Sequence, residues 1–257
     1  MRQTASEMKE NLDHNAPVSA LRGAGVWQPP TVPDHCLPRP AFTARALRGA
    51  SIILLFAGKL MAADPFEDEI ASFEARDRTN PPPAGAILFL GSSSIRFWST
   101  LDTDFSQFTV INRGFGGSHL ADSVHYFDRI VLPYHPRQIL LYAGDNDLAA
   151  DETPERILED FRELTRLTHR GLPMTRISYL AIKPSPVRWH LAAKILATNR
   201  LIAEEARHDL FLDYIDSFTP LLGPGGEPRP ELFRDDRLHL NGEGYALWAG
   251  VVRPWLK

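Results

Sequence analysis

The sequence predicts an α/β fold: a three-layer α/β/α sandwich around a five-stranded parallel sheet of flavodoxin-like order. Three observations carry this. First, the chain holds a series of short apolar runs, each bounded by glycine, proline or polar breakers, which is how strands buried on both faces read. Second, the segments between them are mostly a dozen or more residues long with helical periodicity, enough for the right-handed crossovers that join parallel strands. Third, the unusual polar residues fall in the breaker-rich segments after the strands. In a doubly wound sheet those segments meet at the carboxyl edge, where ligands bind.

Asp64 to Asp77 (DPFEDEIASFEARD) places Phe66, Ile70 and Phe73 at helical spacing, with acids toward the N-terminus, where a helix dipole favours them. Ala86 to Leu90 (AILFL), entered through Pro81-Pro82-Pro83 and closed by Gly91, is the first buried strand. Ser92, Ser93 and Ser94 follow at what reads as a helix start. Phe108 to Asn112 is the second strand and ends in Arg113-Gly-Phe-Gly-Gly117-Ser118. Leu120 to Val131 has helical periodicity through Val124, Phe127 and Val131. Gln138 to Tyr142 is the third strand and runs into Ala143-Gly-Asp-Asn-Asp147. Pro154 to Leu167 is an amphipathic helix with Ile157, Phe161 and Leu164 on one face. Arg176 to Ile182 is the fourth strand, Val187 to Arg207 a long helix, and Leu210 to Ile215 the fifth strand. A Gly/Pro-rich loop, Gly223 to Pro230, leads to Asp236-Arg-Leu-His239 and a closing helix from about Gly242 to Val252.

The composition, 44% hydrophobic and 23% charged over 257 residues, suits one sizeable α/β core, expected over residues 64–257. Residues 1–63 read differently. The first 43 have neither period and are scattered with Pro, Gly and polar residues, the signature of a disordered leader. Arg45 to Arg48, the apolar Gly49 to Gly58 and the small pair Ala62-Ala63 then have the order of a secretory signal. That reading predicts export with a mature chain starting near Asp64. An ordinary buried helix is the alternative, and it would leave the protein in the cytoplasm. The apolar run is too short to span a bilayer, so no stable membrane anchor is expected.

Net charge is −4, and residues 64–257 carry 21 Lys/Arg against 28 Asp/Glu. An acidic body without basic clusters argues against nucleic acid as a partner. Cys36, the only cysteine, rules out an internal disulfide, and no Cys/His spacing suggests a metal site. Oligomeric state is left open.

Taken together, the blocks Gly91-Ser92-Ser93-Ser94, Gly116-Gly117-Ser118, Gly144-Asp145-Asn146-Asp147 and Asp236-x-x-His239 resemble the SGNH hydrolase superfamily, the GDSL-type lipases and esterases. They stand in the family's order over nearly all of residues 80–250. The chain looks most like members similar to platelet-activating-factor acetylhydrolases and carbohydrate esterases. It departs from the usual Gly-Asp-Ser at one position, with Ser92 where the aspartate normally stands.

The resemblance implies a cofactor-free, metal-independent serine esterase acting on a small-molecule, carbohydrate or lipid ester through an acyl-enzyme. Ser93 would be the nucleophile, His239 its base and Asp236 the acid that fixes the imidazole tautomer. The backbone N–H groups of Ser93 and Gly117 and the side-chain amide of Asn146 would receive the oxyanion. Glycine suits a close backbone approach, and an amide is a donor that needs no deprotonation. Arg96, Lys183 and Arg188, just past predicted strand ends, are the candidates for substrate contact. Trp98 and Trp189 lie there too, with core packing the preferred reading for both.

Each residue also has a plainer reading. The serines can cap a helix, Gly116-Gly117 can form a tight turn, and Asn146 and Asp147 can be turn formers. It is their joint order at the strand ends that favours the catalytic reading. An acetyl group is the first expectation for the acyl part. A thioesterase or lysophospholipase on the same scaffold, or a non-catalytic carbohydrate-binding module, are the competing readings.

Overall fold

Strands β1 (Ile87–Gly91), β2 (Val110–Gly114), β3 (Gln138–Tyr142), β4 (Arg176–Leu180) and β5 (Leu212–Ile215) form a single sheet. Its order is β2-β1-β3-β4-β5 and every pair is parallel. This is the flavodoxin-like order expected from the sequence. The computed structural model describes residues 64–257, so the leader and signal expected over 1–63 lie outside the described residues.

Nine helices cover the sheet among those residues: α1 (Glu67–Thr79), α2 (Ser93–Arg96), α3 (Leu101–Asp104), α4 (Leu120–His125), α5 (Phe127–Ile130), α6 (Asp145–Ala149), α7 (Pro154–Gly171), α8 (Ala192–Ala206) and α9 (Gly242–Val252). Successive side chains of a strand point to opposite faces, so a continuous apolar run requires two covers. On one face Leu88, Leu90, Ile139, Leu141 and Tyr179 meet Ile70 and Phe73 of α1, Phe161 and Leu164 of α7 and Ile202 of α8. On the other, Ile87, Phe89, Leu140 and Tyr142 meet Trp98, Phe105 and the α9 residues Tyr245, Trp248 and Val252. Each such aliphatic or Phe side chain contributes roughly 1.5–3 kcal/mol by leaving water. Trp98 is part of this core, its indole N–H held by Asp104 at 2.7 Å. Trp189 packs, partly buried, against the opposite core.

The observed elements depart from the expected ones at several ends, β4 stopping at Leu180, β5 starting at Leu212 and α7 reaching Gly171, while α3 was not expected. Four further differences bear on the site. The strand expected over Phe108–Asn112 lies two residues later, β2 running from Val110 to Gly114 and holding Asn112 and Arg113 within it. It is an edge strand, and both polar side chains are satisfied. Asn112 bridges the Ile95 carbonyl and the Gly114 N–H, while Arg113 binds Tyr134 Oη and both oxygens of Asp77. The helix expected over 120–131 breaks at Tyr126, which ends α4 and begins α5 while packing its ring edge-on to Phe115. The helix expected from Val187 starts at Ala192, after a 3₁₀ turn over Pro186–Leu191. The polar segment after β3 is itself a short helix, α6.

Gly91 is where the fold demands glycine. Its φ is +144°, and a Cβ there would stand 2.0 Å from the Tyr142 carbonyl oxygen. That lets β1 turn into α2 flush against β3.

Candidate active site

The register aligns Gly91 of β1 with Gly114 of β2 and Tyr142 of β3. Residues a few positions beyond these ends therefore share one edge, at the point where the chain winds outward from β1 in both directions. Such a switch point leaves a crevice between diverging connections. Ser93, Gly117 and Asn146 all lie just past these strand ends.

The three serines are distinguished by burial. Ser92 and Ser94 are 2% and 1% exposed, whereas Ser93 is only half-buried. Ser92 is the N-cap residue of α2, and its hydroxyl makes no capping bond. Its backbone supports the turn instead, the N–H donating to Tyr142 O and the carbonyl accepting from Ile95 and Arg96. The Ser94 carbonyl accepts from Tyr245 Oη at 2.8 Å. Only Ser93 turns its hydroxyl to the histidine, with Oγ 2.8 Å from His239 Nε2.

The other side of the imidazole meets Asp236, His239 Nδ1 lying 2.7 Å from Oδ2. The remaining carboxylate oxygen, Oδ1, accepts the backbone N–H groups of Leu238 at 2.8 Å and His239 at 2.9 Å. One aspartate therefore closes the turn with one oxygen and holds the ring with the other, which is why three-residue spacing suits this pair. Arg237, between them, takes a left-handed φ of +56°. The ring is further fixed by Phe97, edge-on at 4.9 Å between centroids, with the Arg234 guanidinium over the Phe97 ring. Burial opposes charge on Asp236, but the bonds from the His239 ring and from the two backbone N–H groups prevail. They hold its carboxyl at about 2.

Gly117 is exposed, with a φ of +79° and open space where a Cβ would stand. Its loop is held from below by α6. Asn146 Nδ2 donates to Ser118 O at 3.0 Å, and Asp147 Oδ1 accepts the Leu120 N–H at 2.9 Å. Burial raises the Asp147 carboxyl above its ordinary value, against the pull of the Leu120 N–H and His119. On the far side, Glu69 of α1 accepts the Gly116 N–H at 3.3 Å.

The residues expected to contact substrate fall in three different places. Arg96 turns away toward Glu69, 3.2 Å distant, and Gly116. Lys183 must be corrected. Its side chain is 1% exposed and committed to Asp145 Oδ2 at 2.5 Å and Tyr142 Oη at 2.9 Å, so it has no surface to offer a ligand. Arg188 donates to Asp145 Oδ1 and, at 3.1 Å, to Asn146 Oδ1. It still lines a groove of about 590 Å³ together with Leu148, Val187, Leu191, Asp236 and His239. Asp145, the hub of these bonds, was not singled out from the sequence. Its signal was an acid placed directly after a buried strand and a glycine. Burial opposes its charge, but Lys183 and then Arg188 outweigh that and hold it at about 2.

The chain matches the family model for the GDSL-like lipase/acylhydrolase family over residues 90–247. No curated protein sequence matches it. Among solved structures it is similar to a Streptococcus pneumonia protein named for platelet activating factor, with a TM-score of 0.66 and 22% identity over 74% of this chain and 92% of that one. A GDSL-like lipase from Bacteroides thetaiotaomicron superposes with a TM-score of 0.62 at 18% identity, covering 72% and 96% of the two chains. A carbohydrate esterase family 3 protein from Talaromyces cellulolyticus gives 0.53 at 16% identity, covering 66% and 94%. At such identities the likeness speaks for the fold. The family match spans the first serine block, the glycine loop, Asn146 and the Asp236–His239 turn; the chain belongs to the GDSL-like lipase/acylhydrolase family and is a serine ester hydrolase.

Proposed function

We propose that this enzyme cleaves small-acyl esters, acetyl esters first among them, through a Ser93 acyl-enzyme. The observation that supports it best is the unbroken line from Ser93 Oγ to His239 Nε2 and from His239 Nδ1 to Asp236, with separations of 2.8 and 2.7 Å. A serine hydroxyl is a poor nucleophile unless a base takes its proton as it attacks. Here His239 takes the proton while Oγ bonds to the substrate carbonyl carbon. Asp236 stabilises the imidazolium and stays ionised. The carbonyl oxygen, now negative, is met by the N–H groups of Ser93 and Gly117 and by Asn146 Nδ2. Collapse of the tetrahedral intermediate breaks the ester C–O bond, and His239 returns its proton to the leaving alcohol. Water then repeats the sequence on the acyl-enzyme, releasing the acid and restoring Ser93.

The alcohol part is a sugar, an aryl group or a lipid. The groove beside His239 lies where His239 must protonate the leaving group, and its wall is apolar at Leu148, Val187 and Leu191 and charged at Arg188. A panel of acetylated sugars, p-nitrophenyl esters of rising chain length and acyl thioesters tests the assignment. Rates should be highest for acetyl and fall as the acyl chain lengthens. Faster turnover of long-chain esters or of thioesters would replace it with a lysophospholipase or thioesterase.

Asn146→Ala removes one of three donors to the oxyanion and should lower kcat by roughly 10²–10³. KM should barely move, because that bond strengthens only in the transition state. Steady-state kinetics on p-nitrophenyl acetate separates this from a binding role, which would raise KM at constant kcat.

A further inference from the structure

Beneath the proposed oxyanion site lies a buried ionic chain that the proton-transfer steps do not use. Lys183 Nζ and Tyr142 Oη both reach Asp145 Oδ2, at 2.5 and 2.9 Å, and Lys183 also donates to Tyr142 Oη at 2.9 Å. Arg188 takes the other carboxylate oxygen and extends a second amino group to Asn146 Oδ1 at 3.1 Å. Side-chain exposures are 1% for Lys183, 5% for Asp145 and 17% for Arg188. The strand register explains the meeting. Leu141 of β3 is level with Tyr179 of β4, and Asp145 and Lys183 each stand four residues beyond those partners.

We infer that Lys183, Asp145 and Arg188 are positioning residues that fix the side-chain amide of Asn146 with its nitrogen toward the oxyanion. The inference rests on the reading of Asn146 as an oxyanion donor. An amide offers an acceptor on one side and donors on the other, and rotating it by half a turn exchanges them. A guanidinium has donors only. Against Arg188 the amide can therefore present only its oxygen, because the reverse orientation sets two donors face to face. The nitrogen then faces the opposite way. One of its hydrogens goes to Ser118 O, 3.0 Å away, and the other is left for substrate. Arg188 in turn is held by Asp145, which Lys183 anchors from within the core.

The charges are consistent with that task. Two cations and one carboxylate leave a surplus of one positive charge, and buried ion clusters contribute little to stability for their desolvation cost. A fixed positive charge behind the donor favours the oxyanion as it forms. Burial pulls the Lys183 ammonium below its ordinary value, while Asp145 opposes this. The sequence-level expectation that Lys183 and Arg188 touch substrate gives way to one in which both act through Asn146.

The test is a double-mutant cycle on the full-length enzyme with p-nitrophenyl acetate as substrate. Arg188→Met should lower kcat by about 10- to 100-fold, the scale of a misplaced catalytic group, with KM within about threefold of the parent. In an Asn146→Ala background the same change should cost less than about threefold, since the amide it orients is gone. Arg188→Lys keeps a cation beside Asp145 but lacks the fork that reaches both partners, so it too should lose kcat. It stands in if Arg188→Met does not fold by circular dichroism. A raised KM at unchanged kcat would make Arg188 a substrate contact, and multiplicative losses in the double variant would show that it does not act through Asn146. Full turnover in Arg188→Lys would likewise overturn the inference. Full turnover in Asn146→Ala alone would instead remove the oxyanion reading, and this inference with it. An impaired Asn146→Ala beside an unimpaired Arg188→Met would remove only the inference.

Discussion

Ser93→Ala should fold as the parent does and lose turnover on the order of 10⁶-fold, the scale found when a triad nucleophile is removed. The effect is large because, in the proposed mechanism, the hydroxyl is both the attacking atom and the group whose proton His239 accepts. Nothing else can fill that place. Ser92 and Ser94 are buried, and the backbone contacts that fix them, to Tyr142 and Tyr245, survive truncation of either side chain. Ser92→Ala and Ser94→Ala should therefore keep measurable activity and fold as the parent does. Folding is expected to survive Ser93→Ala because the side chain is only half-buried and the bond lost is the one to His239. Stoichiometric labelling by a fluorophosphonate, mapped by mass spectrometry, reads the same question independently of kinetics. An adduct on Ser92 or Ser94 would overturn the assignment whatever the alanine variants did.

The sequence disclosed most where a local rule and the tertiary structure agree. β3 and α9 were legible to the residue, since Ile139–Tyr142 is an unbroken apolar run entered through Gln138 and α9 starts from Asn241, whose side chain caps Gly244. The edge strand β2 was placed two residues too early because polar Asn112 reads as its last residue and Arg113 as the start of the glycine loop. Their partners, Ile95, Asp77 and Tyr134, are remote in sequence. The same limit governed the site. Asp236 and His239 sit in one turn, so the pairing that the family resemblance implies needs only their three-residue spacing. Lys183 could not be understood that way, because its partner Asp145 stands at the end of the adjacent strand. Only the pairing of β3 with β4 brings the two charges together. Lys183, just past a strand end, was read as a substrate contact, and the structure instead commits it to Asp145. What the sequence could not tell was whether it points into the crevice or beneath it.

Asp236→Asn should lower kcat/KM by up to roughly 10⁴-fold without unfolding the protein, and the reason lies in how the two carboxylate oxygens are divided. Oδ1 serves the backbone N–H groups of Leu238 and His239, and Oδ2 serves the imidazole. Asparagine has a single oxygen for both duties. Two backbone bonds outweigh one, so the oxygen should stay with the turn and the amide nitrogen should face His239 Nδ1. A donor there forces Nδ1 to be the unprotonated nitrogen and puts the ring proton on Nε2, the atom proposed to accept from Ser93. The turn survives while the base is lost. In the parent, with its carboxyl held at about 2, Asp236 gains its proton only as pH falls well below the ordinary carboxylate value of about 3.9. Loss of parent activity between pH 5 and 8 therefore does not come from Asp236. Rates measured across that range should be lower by a similar factor throughout for Asp236→Asn, with fluorophosphonate labelling of Ser93 slowed in parallel. Activity within tenfold of the parent would show that another carboxylate orients His239, and Asp235 would be the first to replace.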